Sequence, residues 1–195
     1  MEKRRIRRFL NDHRFLEISS ARIVYSLICD GDLIEDALEE GMRHLRRETD
    51  AEMERKIRDT DDPRVLVDLM RKPMDWKNQF LLRGKVLERE KEVLPLLKER
   101  AIRAAQNGFI EQALQIFAET EENLCPWVME NYQSFRCEYA RSIFSILLGL
   151  RGSPEYIPFL IEEAKRFERS YPKESYDQGP YIAVEKLRVR FMTND

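Results

Sequence analysis

The residue types that carry out catalysis are present in this chain, but their spacing does not form a catalytic motif. The seven glycines give neither the GxxxxGK[ST] nor the GxGxxG spacing of loops that cradle phosphate groups. The two histidines, His13 and His44, belong to no HExxH or Glu-x-x-His pattern, and there is no GxSxG nucleophile motif. We therefore predict no catalytic residues and no cofactor.

The cysteines give little support for a metal site. Cys29, Cys125 and Cys137 contain no CxxC pair, and neither histidine lies near them in the sequence. This pattern is typical of reduced, mostly buried thiols in a cytoplasmic protein. The sequence predicts no metal ligands and a cytoplasmic location.

Carboxylates are abundant, as in Asp59, Asp61 and Asp62 or in the run from Glu48 to Glu54. Arginine and lysine residues alternate with them, so we interpret these runs as salt-bridged, solvent-facing surface and not as acid-base pairs.

Aromatic and arginine side chains form the best candidate binding surface. Trp127, Tyr132, Arg136 and Arg141 lie in one short stretch, and Trp76 lies in the preceding unit. Tryptophan, tyrosine and arginine contribute disproportionately to protein interfaces. We predict that these five residues bind a protein or peptide; the alternative is that both tryptophans are ordinary core residues.

The helices that would position these residues are indicated by apolar spacing. The stretch Glu90 to Thr120 has apolar residues at i, i+3, i+4 and i+7, interrupted at Asn107-Gly108. This predicts two antiparallel helices joined at that dipeptide, with small residues where they approach: Ala101, Ala104, Ala105 and Ala113.

Composition shifts divide the rest of the chain. We predict a basic N-terminal segment over 1–14 and a single helical domain over 15–195. Within that domain we expect a hairpin over 15–46, a polar connector, either a solvated helix or an ordered linker, over 47–61, and a helical array over 62–195.

Local signals refine the array. Asp62-Pro63 and Ser153-Pro154 each pair an N-cap residue with a proline that suits the first helical position. Further helices are predicted over 74–87, over 135–150 and over 181–191. The helix over 135–150 is the most apolar, so it is expected to pack on more than one side.

A weak internal repeat links these helices. Asp62-Pro63, Asn107-Gly108 and Ser153-Pro154 are spaced by 45 and then 46 residues, and similar apolar patterns follow: PRVLVDLM, GFIEQALQIF and PEYIPFLI. From Asp61 to Phe191 the chain resembles the HEAT and armadillo helical repeats. The segment AAQNGFIEQALQIFAE also resembles the middle of a tetratricopeptide unit.

The resemblance implies an all-α fold of stacked antiparallel helical hairpins, a short right-handed α-solenoid. A helical bundle without repeats is the alternative. It also implies a non-catalytic scaffold or adaptor that binds a protein partner. Some HEAT-like proteins are alkylpurine DNA glycosylases that use Trp, Asp and Arg residues. The alternative function is therefore DNA binding or glycosylase activity of that kind, with Asp75 as one of the residues involved.

Charge and hydropathy bound the partners. The chain has 34 lysine and arginine against 36 aspartate and glutamate residues, a formal net charge of -2, which does not favour nucleic acid as the partner. The longest apolar run, 143–150, is too short for a membrane span. Apolar residues in the last predicted helix favour self-association as a further possibility.

Overall fold

The chain is helical throughout the part that the structure describes. A computed structural model describes residues 49–192, and this part contains no β-strand, which confirms the all-α class there. The predicted basic segment and the hairpin over 15–46 lie outside the described residues. The helices are α1 (Thr49–Asp59), α2 (Pro63–Leu69), α3 (Trp76–Glu88), α4 (Glu90–Ile102), α5 (Asn107–Glu119), α6 (Cys125–Asn131), α7 (Glu138–Arg151), α8 (Ile157–Ser170) and α9 (Gln178–Met192). Two short 3-10 turns, Tyr132–Ser134 and Pro154–Tyr156, precede α7 and α8.

Capping aspartates set the starts of two helices. The Asp62 carboxylate accepts a hydrogen bond from the Arg64 N–H at 2.8 Å, and proline occupies the first position of α2. The Asp75 carboxylate accepts from the Asn78 N–H at 2.8 Å at the start of α3. Each carboxylate satisfies a backbone donor that has no partner inside the helix. The predicted helix start at Asp62-Pro63 is confirmed.

The boundary inside the central stretch differs from the prediction. α4 already ends at Ile102, four non-helical residues follow, and Asn107 is the first residue of α5. Asn107 and Gly108 therefore open the second helix, as the repeat pattern predicted, but the first helix ends before this dipeptide. Residues in a first helical turn need no intrahelical N–H partner, so this dipeptide is tolerated there. Ala104 is buried although it lies outside the helix, which is why the apolar spacing runs past the helix end.

The polar connector is a helix with one fully buried side chain. Over α1, Ile57 is fully buried, and α1 contacts α3. Its exposed face carries ion pairs at i,i+4 spacing, Lys56 with Glu52 and Arg58 with Glu54. Of the two interpretations of this segment, a solvated helix is the one that the structure shows.

Each of the odd-numbered helices contacts the next odd-numbered helix. Contacts join α1 to α3, α3 to α5, α5 to α7 and α7 to α9, and α2 also contacts α4. α4 and α5, the predicted central hairpin, share fewer contacts than α5 shares with α7. The odd-numbered helices therefore form a continuous layer, and this layer contains most of the core.

The helix α7 lies at the centre of that core. Its residues from Tyr139 to Gly149 are buried, except for Arg141, and α7 contacts α5, α6 and α9. The expectation that this helix packs on more than one side is confirmed. Glycines allow α9 to approach closely, because a Cβ at Gly149 would clash with the Ala183 backbone and one at Gly179 with Ser142.

Candidate binding cleft

Of the predicted aromatic site residues, Tyr132 belongs to the core and Trp127 is a partly buried residue that packs against it. Trp127 packs against Phe117 and Phe135, with ring centroids 5.3 Å and 5.8 Å away. Tyr132 is 2% exposed and packs edge-on against Phe159 at 4.9 Å. Phe135 is also within 6.4 Å of the Tyr132 ring, so it joins both residues in one aromatic cluster.

The Tyr132 hydroxyl is hydrogen-bonded inside this cluster. Its oxygen lies 3.2 Å from Ser145 Oγ, and Ser145 itself donates to the Arg141 carbonyl at 2.8 Å. The Glu163 carboxylate also lies next to this hydroxyl. Burial raises the pKa of Tyr132 well above its usual value, because the phenolate would be poorly solvated there.

Arg141 is held by the backbone that carries these aromatics. Its guanidinium donates to the carbonyls of Tyr132, Gln133 and Phe135 at 3.2, 2.9 and 3.2 Å, and it pairs with Glu138. These bonds satisfy the carbonyls of the turn before α7. Arg141 thus has a structural set of partners.

Trp76 lies at the first position of α3, where it packs edge-on against Phe80 at 5.8 Å. No contact within residues 49–192 joins Trp76 to the aromatic cluster around Phe135. The adjacent Asp75 is engaged as the N-cap of α3. The structure therefore brings together Trp127, Tyr132 and Arg141, and it does not bring Trp76 to them.

Arg136, the fifth predicted residue, is exposed and lines a cleft of about 830 Å³. Its backbone N–H donates to the Ile102 carbonyl at 2.9 Å, and the Cys137 thiol contacts the Ala104 carbonyl at 3.7 Å. These two contacts fix the segment before α7 against the end of α4. The segment before α7 therefore places Arg136 in the cleft, although this segment is far along the chain from α2.

The cleft has arginines at its rim and an apolar floor. The floor includes Val67, Leu96 and Phe109, of which Val67 and Phe109 are 2% exposed. We call this feature the arginine cleft and define it by the residues that line it. They are Arg64, Val67, Asp68, Arg71, Leu96, Glu99, Arg100, Arg103, Ala104, Ala105, Gln106, Phe109 and Arg136. Five arginines face two carboxylates, so the cleft has an excess of positive charge in a chain of net charge -2.

Internal carboxylates neutralise two of the five arginines. Arg100 pairs with Asp68 at 3.1 Å, and Arg103 pairs with Glu99 at 3.3 Å. Both pairs are exposed, so each contributes little to stability.

The other three arginines form no salt bridge with any residue of the described part. They are Arg64, Arg71 and Arg136. Arg71 Nε donates to the Gln106 side-chain oxygen at 3.0 Å, a neutral partner that orients the guanidinium without cancelling its charge. Within the described residues, the two terminal nitrogens of Arg71 form no hydrogen bond and can donate to a ligand.

The start of α5 adds to the positive potential of the cleft. Gln106 is the N-cap residue of this 13-residue helix, and its side chain forms no capping hydrogen bond. The amino end of a helix carries a partial positive charge. The arginine cleft therefore suits an anionic group that is attached to an apolar segment.

Other chemistry has less support from the geometry. Over the described range, no group of three or more His, Cys, Asp or Glu side chains is placed to hold a metal ion. Nor does any helix between residues 49 and 192 have the length and apolar character needed to cross a membrane.

The sequence prediction missed four of the five arginines in the cleft. Arg64, Asp68 and Arg71 lie on one face of α2 and its end, at i, i+4 and i+7 spacing. Glu99, Arg100 and Arg103 lie near the end of α4. These stripes become one surface only because α2 contacts α4, and that pairing cannot be derived from helical periodicity.

Comparisons with known proteins gave no assignment: no family model, no curated protein and no solved structure matches the chain.

Proposed function

We propose that this chain is a non-catalytic scaffold or adaptor that binds a protein partner. The arginine cleft is its binding site, and the partner contributes an acidic segment. The observation that carries the proposal is the set of three guanidinium groups, on Arg64, Arg71 and Arg136, that line an apolar-floored cleft without an internal carboxylate partner in the described residues.

The electrostatics of the free cleft support this proposal. Like charges that share one concave surface repel each other, and a bound anion relieves that repulsion. Complementary charge also speeds association and excludes partners of the wrong sign. The partly exposed Leu96 and the exposed Ala105 provide apolar contact, so an acidic segment with apolar neighbours fits better than a free anion.

We extend the proposal to the arrangement of the helices, which we take to be stacked antiparallel hairpins in a short right-handed α-solenoid of the HEAT or armadillo type. The contacts between α1, α3, α5, α7 and α9 support it, because equivalent helices of successive repeats lie side by side in a solenoid. Such arrays bind partners along one extended surface.

The function is tested by affinity purification of the tagged full chain from nuclease-treated host lysate, with mass spectrometry. The comparison is between the natural chain and a variant with Arg64→Ala, Arg71→Ala and Arg136→Ala. We expect a stoichiometric protein that the natural chain retains and the variant loses, with affinity reduced by about tenfold or more because the cationic contacts are gone.

The matched control is Arg169→Ala, an exposed arginine near the end of α8 that does not line the cleft. It should retain the same protein. All variants should unfold at the same temperature as the natural chain. Retention of an identical set of proteins by the triple variant would contradict the proposal.

Nucleic acid is the second candidate ligand, since the same arginines suit backbone phosphates. The geometry does not extend this candidate to glycosylase chemistry, because neither Asp75 nor Trp76 lines the cleft. Binding of a DNA or RNA oligonucleotide should then weaken steeply with salt. Absence of binding at low salt would eliminate this candidate.

A further inference from the structure

Among residues 49–192, the arginine cleft has more positive charge without an ion-pair partner than one carboxylate of a ligand can match. Asp68 and Glu99 each engage one arginine, and this leaves Arg64, Arg71 and Arg136 around the same cavity. A carboxylate supplies two oxygens and one negative charge, enough for one two-pronged contact with a guanidinium. A ligand group with higher charge and more acceptors would fit the remaining three better.

A phosphate monoester has those properties. On a serine or threonine side chain it carries about -1.5 to -2 charges near neutral pH, together with three acceptor oxygens. It can therefore accept from two or three guanidinium groups at the same time. Arginine pairs with phosphate in this two-pronged geometry, whereas lysine contributes a single point charge.

The cleft also contains the groups that orient such a ligand. The bond from Arg71 Nε to Gln106 leaves both terminal nitrogens of Arg71 available, so this guanidinium is oriented before the ligand arrives. The backbone bond from Arg136 to Ile102 fixes the base of the Arg136 side chain. The start of α5 lies at the same cavity, with Gln106, its N-cap residue, in the lining.

Size and floor are consistent with a phosphorylated residue in a peptide. The cavity of about 830 Å³ lies in the range of sites that enclose a small ligand. Ala104 and Ala105 leave space beside the arginines, and the partly exposed Leu96 provides an apolar surface for a neighbouring residue. Inorganic phosphate alone would leave this floor uncovered.

We propose that the arginine cleft recognises a phosphoserine or phosphothreonine of the protein partner, with Arg64, Arg71 and Arg136 as the phosphate-binding residues. This inference rests on the proposed function and adds that the partner is recognised in its phosphorylated form. It implies that a protein kinase acts on the partner before the complex forms.

The experiment is direct binding of the full chain to fluorescent peptide libraries that share degenerate flanks. The central residue is phosphoserine, phosphothreonine, glutamate or serine. We expect the two phosphorylated libraries to bind about tenfold tighter or more than the glutamate library, with no binding to the serine library. Inorganic phosphate serves as the competitor that separates a phosphopeptide site from a simple anion site, and it should compete only weakly.

Substitutions test the geometry of the contact. Arg71→Lys keeps the charge but loses the two-pronged contact, so it should lose most of the preference for phosphate over glutamate. Arg136→Lys should also reduce the preference for phosphate over glutamate, but by less than Arg71→Lys does. Arg169→Lys is the control and should leave the preference unchanged. Equal unfolding temperatures would show that the substitutions act on binding.

The outcomes separate the two proposals. Equal binding of the glutamate and phosphorylated libraries overturns the phosphate inference and leaves the acidic-segment function in place. If a protein partner still binds after phosphatase treatment of the lysate, the phosphate inference is likewise overturned and the acidic-segment function stays in place. No binding to any library, with oligonucleotide binding at low salt, overturns both in favour of nucleic acid.

Discussion

Arg136 and Arg141 lie close together in the sequence, but their guanidinium groups have different numbers of hydrogen-bond partners. The Arg141 guanidinium is surrounded by three carbonyls and by Glu138, all within a few residues of it. Arg136 instead extends into the arginine cleft and has no salt bridge in the described part of the chain. Residue type alone does not distinguish them. The number of acceptors around each guanidinium distinguishes them, because a guanidinium whose N–H groups already have acceptors has few donors left for a ligand.

At the same scale, the buried phenol of Tyr132 predicts a pH dependence of stability. Burial raises its folded-state pKa above the unfolded value of about 10, so its stabilising contribution is complete below that pH and is lost as the pH rises further. Tyr132→Phe should lose about 1 kcal/mol near neutral pH, since the hydrogen bond to Ser145 is removed. The deficit should shrink between about pH 9 and about pH 11. Urea unfolding measured across this range checks it.

Tyr171→Phe removes a half-buried phenol that donates to Glu138, and it serves as the comparison variant for the loss of one phenolic hydrogen bond near neutral pH. Tyr139, whose pKa is also raised by burial and by the neighbouring Glu111, remains in every variant. A constant deficit for Tyr132→Phe at all pH values would contradict the assignment.

At the scale of the element, the contact between α7 and α9 depends on glycine. Gly149→Ala would place a methyl group against the Ala183 backbone, which cannot move away as a flexible side chain would. We expect a loss of about 1–3 kcal/mol in the free energy of unfolding, typical of overpacking in a core. Chemical denaturation measures it.

Gly84 in α3 offers the matched control. A Cβ at this position would meet no atom within 4 Å. Gly84→Ala should therefore stabilise the chain by about 0.5–1 kcal/mol, because alanine favours the helix more than glycine does. If both substitutions had the same effect, the close approach of α9 to α7 would not be the cause.

Some elements could be predicted from the sequence because their causes are local. The start of α2 depends on Asp62 and Pro63 alone, and the burial of α7 follows from its own apolar composition. The end of α4 at Ile102 could not be predicted, because Ala104 stays buried outside the helix and continues the apolar spacing. Apart from Arg136, the residues of the arginine cleft could not be predicted from the sequence either. The cleft forms where α2, α4 and the segment before α7 meet.

At the scale of the whole molecule, burial is concentrated in the layer of odd-numbered helices. α7 has neighbours in α5, α6 and α9, whereas in α1 Ile57 is the one residue of those described that is fully buried. Amide hydrogen exchange in the native state should therefore be slowest in α7, where opening requires global unfolding. Amides of α1 should exchange by local opening.

Hydrogen exchange followed by mass spectrometry at increasing denaturant checks this order. The α1 amides should exchange at rates that depend little on denaturant, and those of α7 should follow the global transition. Equal protection of the two helices would show that the chain opens as a single unit.

The bond between Arg136 and the end of α4 also has a consequence during protein synthesis. The cleft takes Arg64 and Arg71 from an early part of the chain and Arg136 from a much later one, and the backbone bond to Ile102 holds the late part in place. A nascent chain that ends before this residue has α2, α4 and α5 but an incomplete rim. If the cleft binds a partner as proposed, binding competence would arise only after the segment leading into α7 has left the ribosome, and a truncated product would not compete with the finished protein.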